Sequence, residues 1–257
     1  MAKRRLDLLL VERELAATRH KAQALVMAGL VLVGEQIAAK PGTLVDEDAP
    51  LRLRGRPPYV SRGGEKLDYA LAYFRLDVRE LVAADIGAGT GGFTDCLLQR
   101  GACRVYAIDV GYGQLDYRLR QDPRVVAMER VNARHLETLP QLVDLATVDV
   151  SFISLEKVLP AVARLLRSGG QIVALFKPQF QARRGEVGRG GVVREPALHA
   201  AVMGRFAGWA VRHGFRMLGL TPSPLLGPAG NREFFLLLRP EGEAAGARAP
   251  LERDDVE

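Results

Sequence analysis

Asp85-Ile86-Gly87-Ala88-Gly89-Thr90-Gly91-Gly92-Phe93-Thr94-Asp95 decides the fold class of this 257-residue chain. Leu81-Val82-Ala83-Ala84 leads into it as a buried parallel strand, the glycines break the apolar run, and Phe93 to Gln99 starts a helix. Glycine lets backbone approach a ligand closely, and a glycine turn between strand and helix is the arrangement that receives a nucleotide-like cofactor. Gly87, Gly89 and Gly92 also satisfy the dinucleotide spacing, so the loop alone does not separate NAD from S-adenosylmethionine. The expected cofactor contacts are Asp85, Gly87, Gly89, Thr90, Gly91, Gly92 and Phe93.

Downstream, apolar strands are predicted at 81–86, 104–109, 125–128, 144–150, 171–176, 216–221 and 233–239, with helices between the first five. Such alternation implies an α/β fold with an open, mostly parallel sheet, and the last pair implies an antiparallel hairpin at its end. Ligands of such sheets sit beyond the carboxyl ends of the strands, so polar residues there are the candidates for chemistry. Asp109 ends the second strand, placed to accept hydrogen bonds from ribose hydroxyls, and Asn132 follows the third, where an adenine-facing amide is expected. Asp149 ends the fourth strand and Lys177 the fifth; a carboxylate and an amine at one crevice are costly to desolvate unless they pair or do work. Lys66, on the helix before the first strand, and Glu233, opening the last strand, are two further candidates that only the fold can bring to the others.

Upstream, Leu6, Leu9, Leu10 and Leu15 share a helical stripe, a second helix runs from Arg19 to Ala28, and Gly29 stops it. Leu30 to Val33 turns at Gly34-Glu35 into a short hairpin, and alternating apolar residues resume from Leu44 to Leu53. Cations gather at the start of the first helix (Lys3, Arg4, Arg5), at the helix junction (Arg19, His20, Lys21) and on the outgoing strand (Arg52, Arg54, Arg56). Clustered cations on a small domain are what phosphate tracking requires. Arg62 and the glycine-rich Gln181-to-Arg194 segment, with Arg183, Arg184 and Arg189, extend that expectation into the second domain, the segment being read as a mobile loop that grips phosphates. Residues 241–257 hold six acids against two arginines, so the body of the chain carries +10 although the whole carries +6. A basic body favours a polyanionic partner.

Two cysteines, Cys96 and Cys103, are too few for a disulfide scaffold and lack metal-ligand spacing, which points to a reduced, cytoplasmic protein without a metal site. The apolar stretch at Leu8-Leu9-Leu10 ends at Glu12, too soon for a signal peptide, and no run approaches the roughly 18 apolar residues of a membrane helix. The expected organisation is a small basic domain over 1–57, a linker over 58–64, an α/β domain over 65–240 and a disordered tail over 241–257, in a monomer.

Residues 4 to about 54 resemble the RNA-binding domain of ribosomal small-subunit protein four, through Arg5-Leu6-Asp7, the set Thr18, Arg19, Ala22, Leu25, Val26, Gly29, Leu32, Val33 and Gly34, and Lys40-Pro41 leading to Asp48. Lys66, Asp149, Lys177 and Glu233 resemble the Lys-Asp-Lys-Glu tetrad of FtsJ-like ribose 2′-O-methyltransferases. With Ser61 to Leu67, the Asp85 loop, Asp109 to Leu115, Asp149 to Leu155, Phe176 to Phe180 and Gly230 to Phe235, the whole chain is similar to the TlyA family of ribosomal RNA 2′-O-methyltransferases, whose members also carry the label hemolysin. Gly89 stands where the family loop often has serine, a change between small residues.

That resemblance implies a Rossmann-like methyltransferase with a seven-stranded sheet, S-adenosylmethionine as cofactor, and a ribose hydroxyl of a cytidine in ribosomal RNA of the small subunit, the large subunit or both, as acceptor. A ribose hydroxyl is a weak nucleophile at neutral pH, so its proton must leave as oxygen attacks the methyl group. Lys177 is the candidate base, a role that needs a neutral amine; a protonated Lys177 that steadies the developing alkoxide fits the same residues. A dehydrogenase explains the glycine loop and Asp109 but leaves Lys66 and Lys177 without a role. A noncatalytic ribosome-assembly factor explains the basic elements alone, and a cytolysin lacks a membrane-active segment.

Overall fold

The computed structural model describes residues 3–27, 29–38, 40–53, 55, 58–183, 185–188, 190–227 and 229–241. Contacts divide the chain into two units, Met1–Pro58 and Tyr59–Glu257. The tail expected to be disordered lies, from residue 242 on, outside the described residues.

In the first unit the order is β1 (Lys3–Arg5), α1 (Leu6–Glu12), α2 (Arg19–Met27), β2 (Val31–Val33), β3 (Gln36–Ile37), β4 (Leu44–Asp46) and β5 (Leu51–Leu53). Helix α1 carries Leu6, Leu9 and Leu10 of the expected stripe but ends at Glu12, before Leu15, and Leu6, Leu9, Leu10, Ala22, Val26 and Val31 form the core. Thr18 caps α2, its hydroxyl accepting the Lys21 N–H at 3.2 Å, which satisfies one of the donors a helix start leaves open. Strand β2 pairs antiparallel with β3 across the expected Gly34 turn, and also with β5. Strand β1 was not foreseen: the basic run taken as a helix start is extended and pairs antiparallel with β4. Its cations are matched locally, Arg4 lying 2.6 Å from Glu12 and 3.3 Å from Glu47.

The second unit continues with α3 (Arg62–Tyr73), β6 (Val82–Ile86), α4 (Gly92–Gln99), β7 (Arg104–Ile108), α5 (Tyr117–Gln121), β8 (Val125–Met128), β9 (Val143–Val148), α6 (Leu159–Leu165), β10 (Leu166–Phe176), α7 (Pro178–Gln181), α8 (Pro196–Arg212), β11 (Phe215–Pro222) and β12 (Phe234–Pro240). One seven-stranded sheet runs β11-β12-β10-β9-β6-β7-β8. Its neighbours are parallel from β10 to β8, and β12 is antiparallel to both β10 and β11. The fold class is therefore the one expected, a mostly parallel sheet with an antiparallel C-terminal strand. Alternate residues of the central strands pack on opposite faces: Ile86, Ile108, Val148 and Phe176 join α6 and α8, whereas Ala83, Val105, Leu145 and Leu175 join α3 and α4. Strand β10 is longer than predicted because Arg167 to Gly170 form an irregular entry between Leu166 and Gln171. Of the residues expected as linker, Ser61 caps α3 by accepting the Gly63 N–H and Arg62 to Gly64 form its first turn. Among the described residues no helix is long and apolar enough to cross a membrane.

Candidate active site

A cleft of about 710 Å³ opens beyond the carboxyl ends of β6, β7 and β9, and it draws walls from the start of α3, the glycine loop and the segments after β7, β8, β9 and β10. The loop turns sharply, with the N–H groups of Gly87 and Ala88 both donating to Ile108 O, at 2.8 and 3.1 Å. Gly87 has φ 85°, and a Cβ there would sit 2.3 Å from Asp149 O, so only glycine lets the loop pass the end of β9. Gly92 is needed for another reason: a Cβ there would meet Ser61 Oγ at 2.2 Å and Gly64 N at 2.9 Å, where the first turns of α3 and α4 touch.

Of the expected cofactor residues, Gly87, Gly89, Thr90, Gly92, Phe93, Asp109, Asn132 and Asp149 line the cleft. Asp85 and Gly91 are not among the lining residues. Gly91, with φ 94°, is the left-handed residue from which α4 starts. Asp85 is buried, accepting hydrogen bonds from Thr94 Oγ1 at 2.7 Å and Thr147 Oγ1 at 3.1 Å, and so ties the loop helix to β9. Burial pushes its carboxyl up to about 7, against the two threonine hydrogen bonds, and the charge of Asp149 adds to the rise.

Asp109 accepts the Gly89 N–H at 2.8 Å on one oxygen and the Gly111 N–H at 2.6 Å on the other. Each carboxylate oxygen accepts more than one hydrogen bond, so Asp109 holds the loop and still offers acceptors to a diol in the cleft. Asn132 Oδ1 accepts the Arg134 N–H at 3.1 Å, capping the short turn Ala133–His135, and Val110 and Val131 provide apolar surface nearby.

All four residues of the proposed tetrad line this cleft. They form two pairs. Lys66 Nζ donates to Glu233 Oε2 at 2.6 Å, with both side chains buried. Lys177 Nζ lies 2.7 Å from Asp149 Oδ1 and donates to Ser151 Oγ at 2.9 Å. Of the two carboxylates, Asp149 alone lies beside Lys177; Glu233 holds the other lysine. Ser151 was missed as a partner of Lys177, and its place two residues beyond Asp149, in the turn that leaves β9, is the signal that would have found it. Asn231 fixes the approach to Glu233: its Oδ1 accepts the Val193 N–H and its Nδ2 donates to Gly191 O, both at 2.9 Å. One end of the arginine-bearing segment is thereby tied to the strand that delivers Glu233.

The expected RNA contacts divide into free and engaged cations. Arg62 is exposed and lines the cleft. Arg183 is exposed, and its backbone N–H donates to Glu186 Oε2 at 2.8 Å; Arg184 and Arg189 lie outside the described residues. In the first unit His20 and Lys21 are exposed. Arg5 and Arg19, by contrast, converge on the buried Asp7, at 2.9 and 3.0 Å, with Gln23 Nε2 at 3.0 Å. Hydrogen bonding from Arg5, with help from Gln23 and Arg19, holds the Asp7 carboxyl well below the usual carboxylate range.

Residues 59–240 match the family model described as FtsJ-like methyltransferase, and residues 4–50 match the S4 domain. The chain is 46% identical over 257 residues to the 16S/23S rRNA (cytidine-2′-O)-methyltransferase TlyA of Mycobacterium tuberculosis, covering 98% of this chain and 96% of that one. It is 49% identical over 245 residues to YqxC of Bacillus subtilis, provisionally named an rRNA methyltransferase, covering 94% and 87%. A solved structure from Streptococcus thermophilus that bears the label hemolysin superposes with a TM-score of 0.73 at 46% identity, covering 95% of this chain and 90% of that one.

Proposed function

From the premise that this chain belongs to the FtsJ-like methyltransferases, and within them to the TlyA family, with an S4 domain ahead of the catalytic fold, we propose that it transfers a methyl group from S-adenosylmethionine to a ribose 2′-hydroxyl of ribosomal RNA. The observation that carries this reading is Lys177 at the cleft wall, held by Asp149 at 2.7 Å and Ser151 at 2.9 Å, beside a second buried amine-carboxylate pair. The cleft suits the cofactor: a glycine loop for close backbone approach, Asp109 acceptors for a ribose diol, the Asn132 amide and flanking apolar surface for a purine. Bound there, S-adenosylmethionine supplies an electrophilic methyl on a sulfonium.

The remaining work falls to the chain. With Ser151 Oγ accepting one of its N–H bonds and the Asp149 carboxylate 2.7 Å away as its ion-pair partner, a neutral Lys177 keeps its lone pair for the ribose proton, and a protonated one keeps an N–H for the developing alkoxide. Either way the target oxygen is placed by Lys177, and positioning in line with the methyl group supplies much of the rate. The Lys66–Glu233 pair fixes the start of α3 against the start of β12 and keeps the cleft's inner end charged yet rigid. The RNA substrate is held by the S4 domain and by exposed cations such as Arg62. A cytidine target and action on one or both subunits follow the relatives' names and belong to the proposal.

The test is transfer of labelled methyl from S-adenosylmethionine to purified small and large ribosomal subunits that lack the modification, comparing the intact protein with Lys177→Ala. Label on a ribose 2′-oxygen with the intact protein, reduced about 10²-fold or more in the variant while cofactor affinity persists, supports both reaction and site. Binding of cofactor and subunits without transfer makes the chain an assembly factor and removes the tetrad from catalysis.

A further inference from the structure

A second hollow, of about 610 Å³, adjoins the cofactor cleft and shares Arg134, Phe152 and Ile153 with it. Its other walls are Ser154, Lys157, Gln179 and Phe180. Lys177 Nζ lies 5.9 Å from the centroid of the Phe180 ring, one wall of this hollow, so whatever enters is held near the amine that acts on the ribose. The Phe152 and Phe180 rings, with centroids 5.1 Å apart, give it apolar walls, and Phe152 is 92% exposed on a backbone with φ 63°. Two amides lie near one another in sequence here and differ. Gln181 Oε1 accepts from Ser154 Oγ at 2.8 Å and from the Leu155 N–H at 3.1 Å. Gln179 Oε1 is buried and has no donor among the described residues.

A buried acceptor left without a donor costs about 1–3 kcal/mol. No described residue supplies that donor, and a substrate that brings one into the hollow Gln179 lines would, once the amide turns its oxygen toward it. We propose that this hollow receives the base of the target nucleotide and that Gln179 reads it, accepting a hydrogen bond from an exocyclic amine. Cytosine carries that donor at N4, whereas uracil carries a carbonyl oxygen at the same place and would set acceptor against acceptor. The exposed cations Arg134 and Lys157 lie at the same hollow, suited to the flanking phosphates, which position without reading sequence. The inference rests on the reading of the chain as an RNA ribose methyltransferase and adds to it the residue that selects the base.

The labelled nucleotide is first mapped with the intact protein, and subunits are then prepared with uridine at that position. The intact protein is expected to lose about 10- to 100-fold in kcat/KM on the uridine subunits. Gln179→Met, similar in shape but without the acceptor, brings the two substrates within about threefold, by losing rate on the amine-bearing one. Gln179→Glu, which keeps an acceptor oxygen, retains most of the preference. A mapped uridine, an intact protein that does not discriminate, or a Gln179→Met variant that keeps the full ratio overturns the assignment of Gln179. Absence of label with the intact protein on every subunit is a different result, the failure of the methyltransferase reading itself, and the base-reading role falls with it.

Discussion

At the scale of single residues, the two lysines of the cleft answer to different physics. The Lys66–Glu233 pair is 8% and 1% exposed, so its members have given up water for each other. Removing one partner of a buried pair leaves the other charge uncompensated, at a cost of about 3–5 kcal/mol, whereas removing both with apolar replacements is far milder. Glu233→Ala is therefore expected to lower unfolding free energy by about 3 kcal/mol or more, and Lys66→Met placed in that background to recover most of it; denaturant titrations of the three variants measure this. If Glu233→Ala proves as stable as the parent, the pair is not structural. Asp85 carries a pH signature of the opposite kind to most carboxylates. Its carboxyl is raised to about 7 in the fold, above the ordinary value of 3.8, so between those values the folded chain holds a proton that the unfolded chain has lost. Its stabilisation is complete below the unfolded value and drains away as pH climbs through the folded one, by about 1 kcal/mol per pH unit. Asp85→Asn should flatten that part of the stability curve between about pH 4 and 7, and a difference curve between parent and variant isolates it from Asp7, which titrates the other way.

At the scale of elements, the site depends on how the start of α4 is seated against the start of α3. Gly92 faces Ser61 Oγ and the Gly64 backbone with no room for a methyl group, while a Cβ at Gly89 would meet nothing nearer than Gly87 O at 4.0 Å. Gly92→Ala must push the helices apart, and overpacking of this sort costs about 1–3 kcal/mol; Gly89→Ala bears mainly the strain of its positive φ. Cofactor affinity, read by calorimetry, should fall more for Gly92→Ala than for Gly89→Ala, and the reverse order would show that the seating of α3 on α4 does not set the cleft. Elements of this kind were legible in the sequence wherever an apolar run ended in a polar residue, which is why β6, β7 and β9 were read with the residues that follow them. Strand β1 was not legible, because three basic residues carry no hydrophobic period and become a strand only by pairing with β4. Nor was the pairing within the tetrad: Lys66 and Glu233 stand 167 positions apart, and although β12 lies beside β10 with Phe234 opposite Phe176, Glu233 pairs with Lys66 of α3 rather than with Lys177.

At the scale of the whole molecule, the dominant long-range quantity is charge, +10 over residues 1–240. The placement of the cations decides how that charge is used. Arg5 and Arg19 neutralise the buried Asp7 and hold α1 to α2, so part of the basic character noted in the sequence is structural cement inside the S4 domain. Among the described residues Lys21 makes no such pair: it is exposed on α2, and its backbone N–H is engaged by Thr18. A phosphate contact made by an exposed cation releases a counterion, and each contact contributes about 0.7–0.9 to the slope of log affinity against log salt. Lys21→Gln should therefore reduce the salt slope of ribosomal-subunit binding by about one unit, weaken binding to both subunits alike, and leave unfolding of the domain unchanged. Arg5→Gln should do the converse, lowering the stability of the S4 domain because Asp7 loses its principal hydrogen-bond donor, and making that loss greatest above the Asp7 titration range, where the carboxylate is charged. Filter-binding titrations across a salt series, run beside thermal unfolding of the same variants, separate the two roles. If Lys21→Gln leaves the slope unchanged, this face of α2 does not meet RNA phosphate.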